Sequence, residues 1–134
     1  MSPGLALQNA MRSAMLARSP LMALLGGARI HDELPRGAHP PYVAFAAIET
    51  RDWSVADQKA HEHFVTIDVV TNMRNRDLAQ NISNEVEAAL DNVALNLTGH
   101  NLVNLRVVSA LVMRAKATEN YGASLRFRAV TEPI

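Results

Sequence analysis

The sequence predicts a two-layer α+β domain over residues 1–134: a sheet of about four mainly antiparallel strands, two principal helices packed on one face, and an extended hairpin or loop. Three observations lead there. Apolar residues recur at helical spacing near residues 2–18 and 76–92, and they alternate with polar ones at the period of a strand in 61–71, 102–114 and 123–131. Glycine, proline and asparagine gather between these stretches, where turns belong.

Taken in order, Ser2 and Pro3 form a helix start, a hydroxyl able to accept from an orphan N–H followed by a residue that loses nothing at the first helical position. Leu7, Met11, Ala14 and Met15 supply the apolar stripe of a helix to about Arg18. Ser19 and Pro20 repeat the start signal, and Gly26 with Gly27 end the short helix that follows. Ala28 to His31 begins a short strand, and Pro35, Gly37, Pro40 and Pro41 then impose an irregular loop.

Tyr42–Thr50 and His61–Thr71 read as strands. In the second, Val65, Ile67 and Val69 oppose Thr66 and Asp68. The connection Arg51–Ala60 is polar apart from Trp53, Val55 and Ala56, and extends as the tip of an antiparallel hairpin. Leu78, Ile82, Val86, Ala89 and Val93 stripe a helix over Arg76–Asn92, with Asp77 well placed in its first turn. Leu102–Arg114 sets Val103, Leu105 and Val107 against Asn104 and Arg106, and a turn around Asn120–Gly122 leads to a partner strand. There Ala123, Leu125, Phe127 and Ala129 oppose Arg126 and Arg128.

Thirteen basic and thirteen acidic side chains cancel, so no overall field draws the chain to nucleic acid or to an anionic membrane. With no cysteine, a disulfide scaffold, a thiolate metal site and a cysteine nucleophile are excluded. The N-terminal segment lacks the basic start and continuous apolar run of an export signal, and Leu21–Leu25 falls far short of the ~20 residues of a membrane span. A soluble chain is expected.

His61 and His63 project to one side of a strand and form a two-ligand metal spacing, but Asp68 faces away and His31, His39 and His100 are scattered; two ordinary strand-end histidines are the preferred reading, with no metal expected. No serine stands in a nucleophile elbow, and Gly26–Gly27 lacks the lysine of a phosphate loop. Glu85, Glu87 and Asp91 most simply solvate their helix. Arg106, Arg126 and Arg128 gather on the polar side of one hairpin, where they either pair within the chain or meet carboxylates of another chain. Trp53 either folds under its own loop or anchors an interface. No catalytic residue and no cofactor is expected, and the interface candidates are Trp53, Arg106, Arg126 and Arg128.

The order of segments resembles the tail terminator, or tail completion, family of tailed phages and phage-like gene transfer particles over nearly the whole chain. The likeness lies in Leu24–Ile30 after the first helix, in Pro41, Tyr42 and Val43 closing the proline loop, in Leu97–Arg106 and in Tyr121–Arg128. Val70 departs from it, standing where the family often has an aromatic. The resemblance implies a virion protein of the tail or neck, assembled in the bacterial cytoplasm as a closed, usually six-membered ring on the last ring of the tail tube. Its partners would be copies of itself, the tube protein and the head–tail connector. It would have no membrane partner and no sequence-specific nucleic acid, although DNA passes through such a ring. The competing readings are a head–tail adaptor, a tail tube subunit, and a small metal-dependent hydrolase or ligand-binding domain built on His61 and His63.

Overall fold

A computed structural model describes residues 1–134. In chain order the elements are α1 (Pro3–Leu16), α2 (Ser19–Leu25), β1 (Ile30–His31), β2 (Tyr42–Asp52), β3 (His61–Val70), α3 (Asp77–Leu90), β4 (Asn96–Leu97), β5 (His100–Arg114) and β6 (Tyr121–Pro133). The six strands form one sheet in the order β1-β2-β3-β6-β5-β4. β1 joins β2 parallel, and every other pairing is antiparallel. The sheet curves into a half-barrel with the helices in its concave side.

The expected fold is therefore corrected. In place of about four mainly antiparallel strands and two principal helices, the chain has a six-stranded mixed sheet and three helices, and most of its ordered residues are in strands. The reason is length. β4 has two residues, too few for a period-2 pattern to register, and its identity as a strand comes from the β5 residues it pairs with, whereas the short strand expected within Ala28–His31 is present as β1, whose parallel pairing with β2 makes the sheet mixed. β4 folds back on β5 through Gly99, whose φ of 77° is the left-handed conformation such a tight return needs.

The helix signals act as read at two ends. Ser2 Oγ accepts from Leu5 N at 3.2 Å, and Gly26 closes α2 with φ 75°. Ser19 does not cap α2, because the helix already includes it and Arg18 occupies the cap position.

The core lies between the concave sheet face and the helices. Val65, Ile67 and Val69 of β3 and Leu125, Phe127 and Ala129 of β6 meet Leu7, Met11 and Met15 of α1, Leu21 and Leu25 of α2, and Ile82, Val86 and Leu90 of α3. Each of the larger side chains contributes about 1.5–3 kcal/mol by leaving water. Phe127, fully buried at the centre, is the largest of them.

Three bulges bend the outer strands, at Phe45/Ala47 in β2 and at Leu102/Asn104 and Val107/Ser109 in β5. The first bulge in β5 breaks the alternation read from sequence: Leu105 stays buried while Val103 is turned out and 54% exposed. The β5–β6 turn also lies earlier than the glycine suggested, over residues 115–120. Gly122 belongs to β6, where a Cβ would stand 2.5 Å from the backbone oxygen of Val69. That glycine permits a close approach of two strands rather than a turn.

Candidate assembly surface

The convex face of the sheet is not covered by any helix, and its side chains organise around β3. Phe64, which pairs with Glu49 and Arg128, sits on this face with Thr66 and Asp68. The guanidinium of Arg126 lies 4.3 Å from the centre of the Phe64 ring, and that of Arg51 lies 5.5 Å away. Cations over an aromatic face contribute about 0.5–1 kcal/mol each at exposed sites. Arg51 is also held by Glu49, to whose Oε1 its Nε donates at 2.7 Å, whereas Arg126 has no ion pair within the chain.

One step nearer the β2–β3 tip, Arg128 Nε donates to Glu62 Oε2 at 2.7 Å. Glu62 is 6% exposed, so Arg128 and not water is what faces its carboxylate. Trp53 leaves the tip and lays its ring against the same guanidinium, 5.3 Å from ring centre to Arg128 Cζ. It is 49% exposed, so the indole is positioned by the domain without being absorbed into it. The tip is a true turn, with Trp53 N donating to Ala60 O and Val55 bridging to Gln58.

Of the four residues singled out in the sequence, the structure brings Trp53, Arg126 and Arg128 together. Arg106 stands level with Arg128 across the β5–β6 ladder, but its guanidinium turns away to Asp91, at 3.2 Å. The same carboxylate accepts from Val107 N at 2.8 Å, so Asp91 ties the end of α3 to β5 in addition to being solvated. Glu85 likewise pairs with Arg18, at 2.6 Å, joining α3 to the start of α2. Phe64, Glu62 and Arg51 are members of the convex cluster that the sequence reading passed over. Phe64 was legible, since the alternation that sends Val65 and Ile67 inward sends an aromatic outward beside Thr66. The pairing of Glu62 with Arg128, 66 residues apart, had no local signal.

His61 and His63 face the concave side, as their spacing requires, with ring centres 6.3 Å apart. His63 is fully buried, and its Nδ1 and Nε2 each lie 2.9 Å from a hydroxyl, of Thr50 and of Thr131. Both nitrogens are thus engaged in linking β2, β3 and β6. Burial first, then the nearby His61 and His100, holds its pKa down to about 4. No group of three or more metal-ligating side chains is assembled in the protein. The arrangement is that of a structural histidine.

No curated protein matches the chain significantly. Among solved structures, a chain of the virion of a native gene transfer agent particle superposes with a TM-score of 0.86 at 28% identity, over 94% of this chain and 94% of that one. The family described as tail completion protein gp17 matches residues 9–132. With that match running through every strand and all three helices, the chain belongs to the tail completion protein gp17 family.

Proposed function

We propose that this chain is a tail terminator: a single domain, residues 1–134, that closes into a ring on the last ring of a tail tube, stops its growth and offers the joining surface for the head. The coarser part is carried by the family match and by the gene transfer agent virion chain, which make this a structural, non-enzymatic protein of the tail region of a virion or phage-like particle. What supports the finer part is the match over residues 9–132, which takes in residues of the convex surface as well as of the core. The geometry supports it. The concentrated polar chemistry of the chain, Arg51, Arg126 and Arg128 with Phe64 and Trp53, lies on an open convex face and not in a pocket, which suits contact with other chains. A ring built head to tail needs two different surfaces that close on one another. Its partners are further copies of itself, the tube protein and the head–tail connector, with DNA passing through the opening.

Electron microscopy of particles made without this gene tests the proposal. Tails of uncontrolled length, or heads and tails left unjoined, are the expected result. Normal particles would exclude a terminating role, and missing tubes would assign the chain to the tube itself.

A further inference from the structure

We propose that the bare outer edge of β5, Val108–Arg114, pairs as an antiparallel strand with the bare outer edge of β2, Ala46–Asp52, in the next copy of the chain. This rests on the ring reading above and names the surface that would build the ring.

The β5 edge is protected along its first half and left open along its second. β4 covers His100 and Asn101, Asn92 N donates to Leu105 O at 2.8 Å, and Asp91 accepts from Val107 N at 2.8 Å. From Val108 to Arg114 no backbone group on that side has a partner within the chain. The open run, Val-Ser-Ala-Leu-Val-Met-Arg, has no proline and no glycine, and its only charge is at its end. Val108, Leu111 and Met113 are 51%, 57% and 50% exposed. A long, apolar, uncharged edge of this kind templates strand addition, and proteins that do not use one blunt it with charge, proline or a cover. Here the cover stops at Val107.

The occupant follows from the other edge. β1 covers β2 only at Val43 and Ala44, which leaves Ala46–Asp52 unpaired on its outer side, a run as long as the one on β5. Three successive antiparallel pairings, β2 to β3, β3 to β6 and β6 to β5, make β5 run opposite to β2. A neighbour whose sheet faces the same way therefore presents β2 antiparallel to β5.

Setting Leu111 opposite Glu49 keeps every side chain on its proper face. Half-buried Val112 and Ile48 then meet on the concave side, and Met113 lies over the small Ala47 on the convex side. In this register the neighbour is displaced along the strands. Leu111 is level with Ser124, whereas Glu49 is level with Arg128, four residues along β6. Four residues at about 3.3 Å, across four long strands at about 4.8 Å, is a tilt of about 35°, at the low end of the roughly 35–45° at which sheets close into barrels.

The chain has no cysteine, so an introduced pair reports alone. Particles carrying Leu111→Cys with Glu49→Cys are purified, mildly oxidised and resolved without reducing agent. Within one chain the two positions lie on opposite edges of the sheet and cannot bridge. Loss of most monomer into a ladder that ends at the ring number is expected. Particles that contain the chain only as monomer, with this pair and with the pairs Leu111/Ala47 and Leu111/Arg51, would overturn the pairing and leave the ring reading standing. A ladder without upper limit would support the pairing and refute the closed ring. Leu111→Lys adds an independent reading: its loss from particles with an unchanged circular dichroism spectrum is expected, and its normal incorporation would overturn the inference.

Discussion

Acidification from about pH 7 to about pH 4.5 should cost the domain roughly 2–3 kcal/mol through His63 alone. His63 carries a pKa of about 4 when folded, against 6.5 for the free side chain. Its neutral ring is buried between the hydroxyls of Thr50 and Thr131, where one nitrogen donates and the other accepts. The unfolded chain thus binds the proton more tightly. The stability from keeping His63 neutral is complete above about pH 6.5 and is lost as the pH falls toward 4. At about 1.4 kcal/mol for each unit by which the pH lies below the unfolded pKa, most of the difference is gone by about pH 4.5. Urea unfolding of the wild type and of His63→Gln at both pH values separates this from the carboxylates, which are common to the two proteins. Glutamine can bridge both hydroxyls and does not titrate. The wild type should lose about 1–2 M more of its urea midpoint than the variant does. Parallel losses in the two proteins, or an NMR titration of the His63 ring centred near 6.5, would show that burial does not hold the proton off.

Other outcomes follow from single side chains. Arg128→Ala leaves Glu62 buried without its cation and should cost about 1–3 kcal/mol in chemical denaturation, less than a fully buried pair because Arg128 is partly solvated. Charge reversal there would unfold before it informs, so assembly is better tested at Arg126, whose guanidinium lies over the Phe64 ring and has no ion pair within the chain: Arg126→Glu should keep its melting temperature and fail to enter particles, and normal entry would remove it from the interface. Gly122→Ala places a Cβ 2.5 Å from Val69 O and should lower stability by about 2 kcal/mol or more; an unchanged melting curve would mean that β3 and β6 can separate at this point without cost.

The parts legible in the sequence were those with a local period. The stripe through Ile82 and Val86, and the alternation that buries Leu125 and Phe127 while turning Arg126 and Arg128 outward, both fix which face enters the core. What was lost depends on partners distant in the chain. The two-residue β4 has no period, and a bulge shifts the alternation by one, so Val103 reads as core and stands exposed. The contact of Trp53 with Arg128 and the bridge from Thr50 through His63 to Thr131 cross from one strand to another through side chains alone. A pair of histidines two residues apart then resembles half a metal site until the hydroxyls that occupy it are seen. The bare edges of β2 and β5 belong to the same class, since an edge is defined by what fails to pair with it.

Cryo-electron microscopy of the neck of purified particles is the most direct test of the terminating role. Density for this chain should appear once per particle, as a closed ring at the head-proximal end of the tube, with the convex faces and the β2 and β5 edges engaged by neighbours. The same chain repeated along the length of the tube, or absent from the neck, would contradict it.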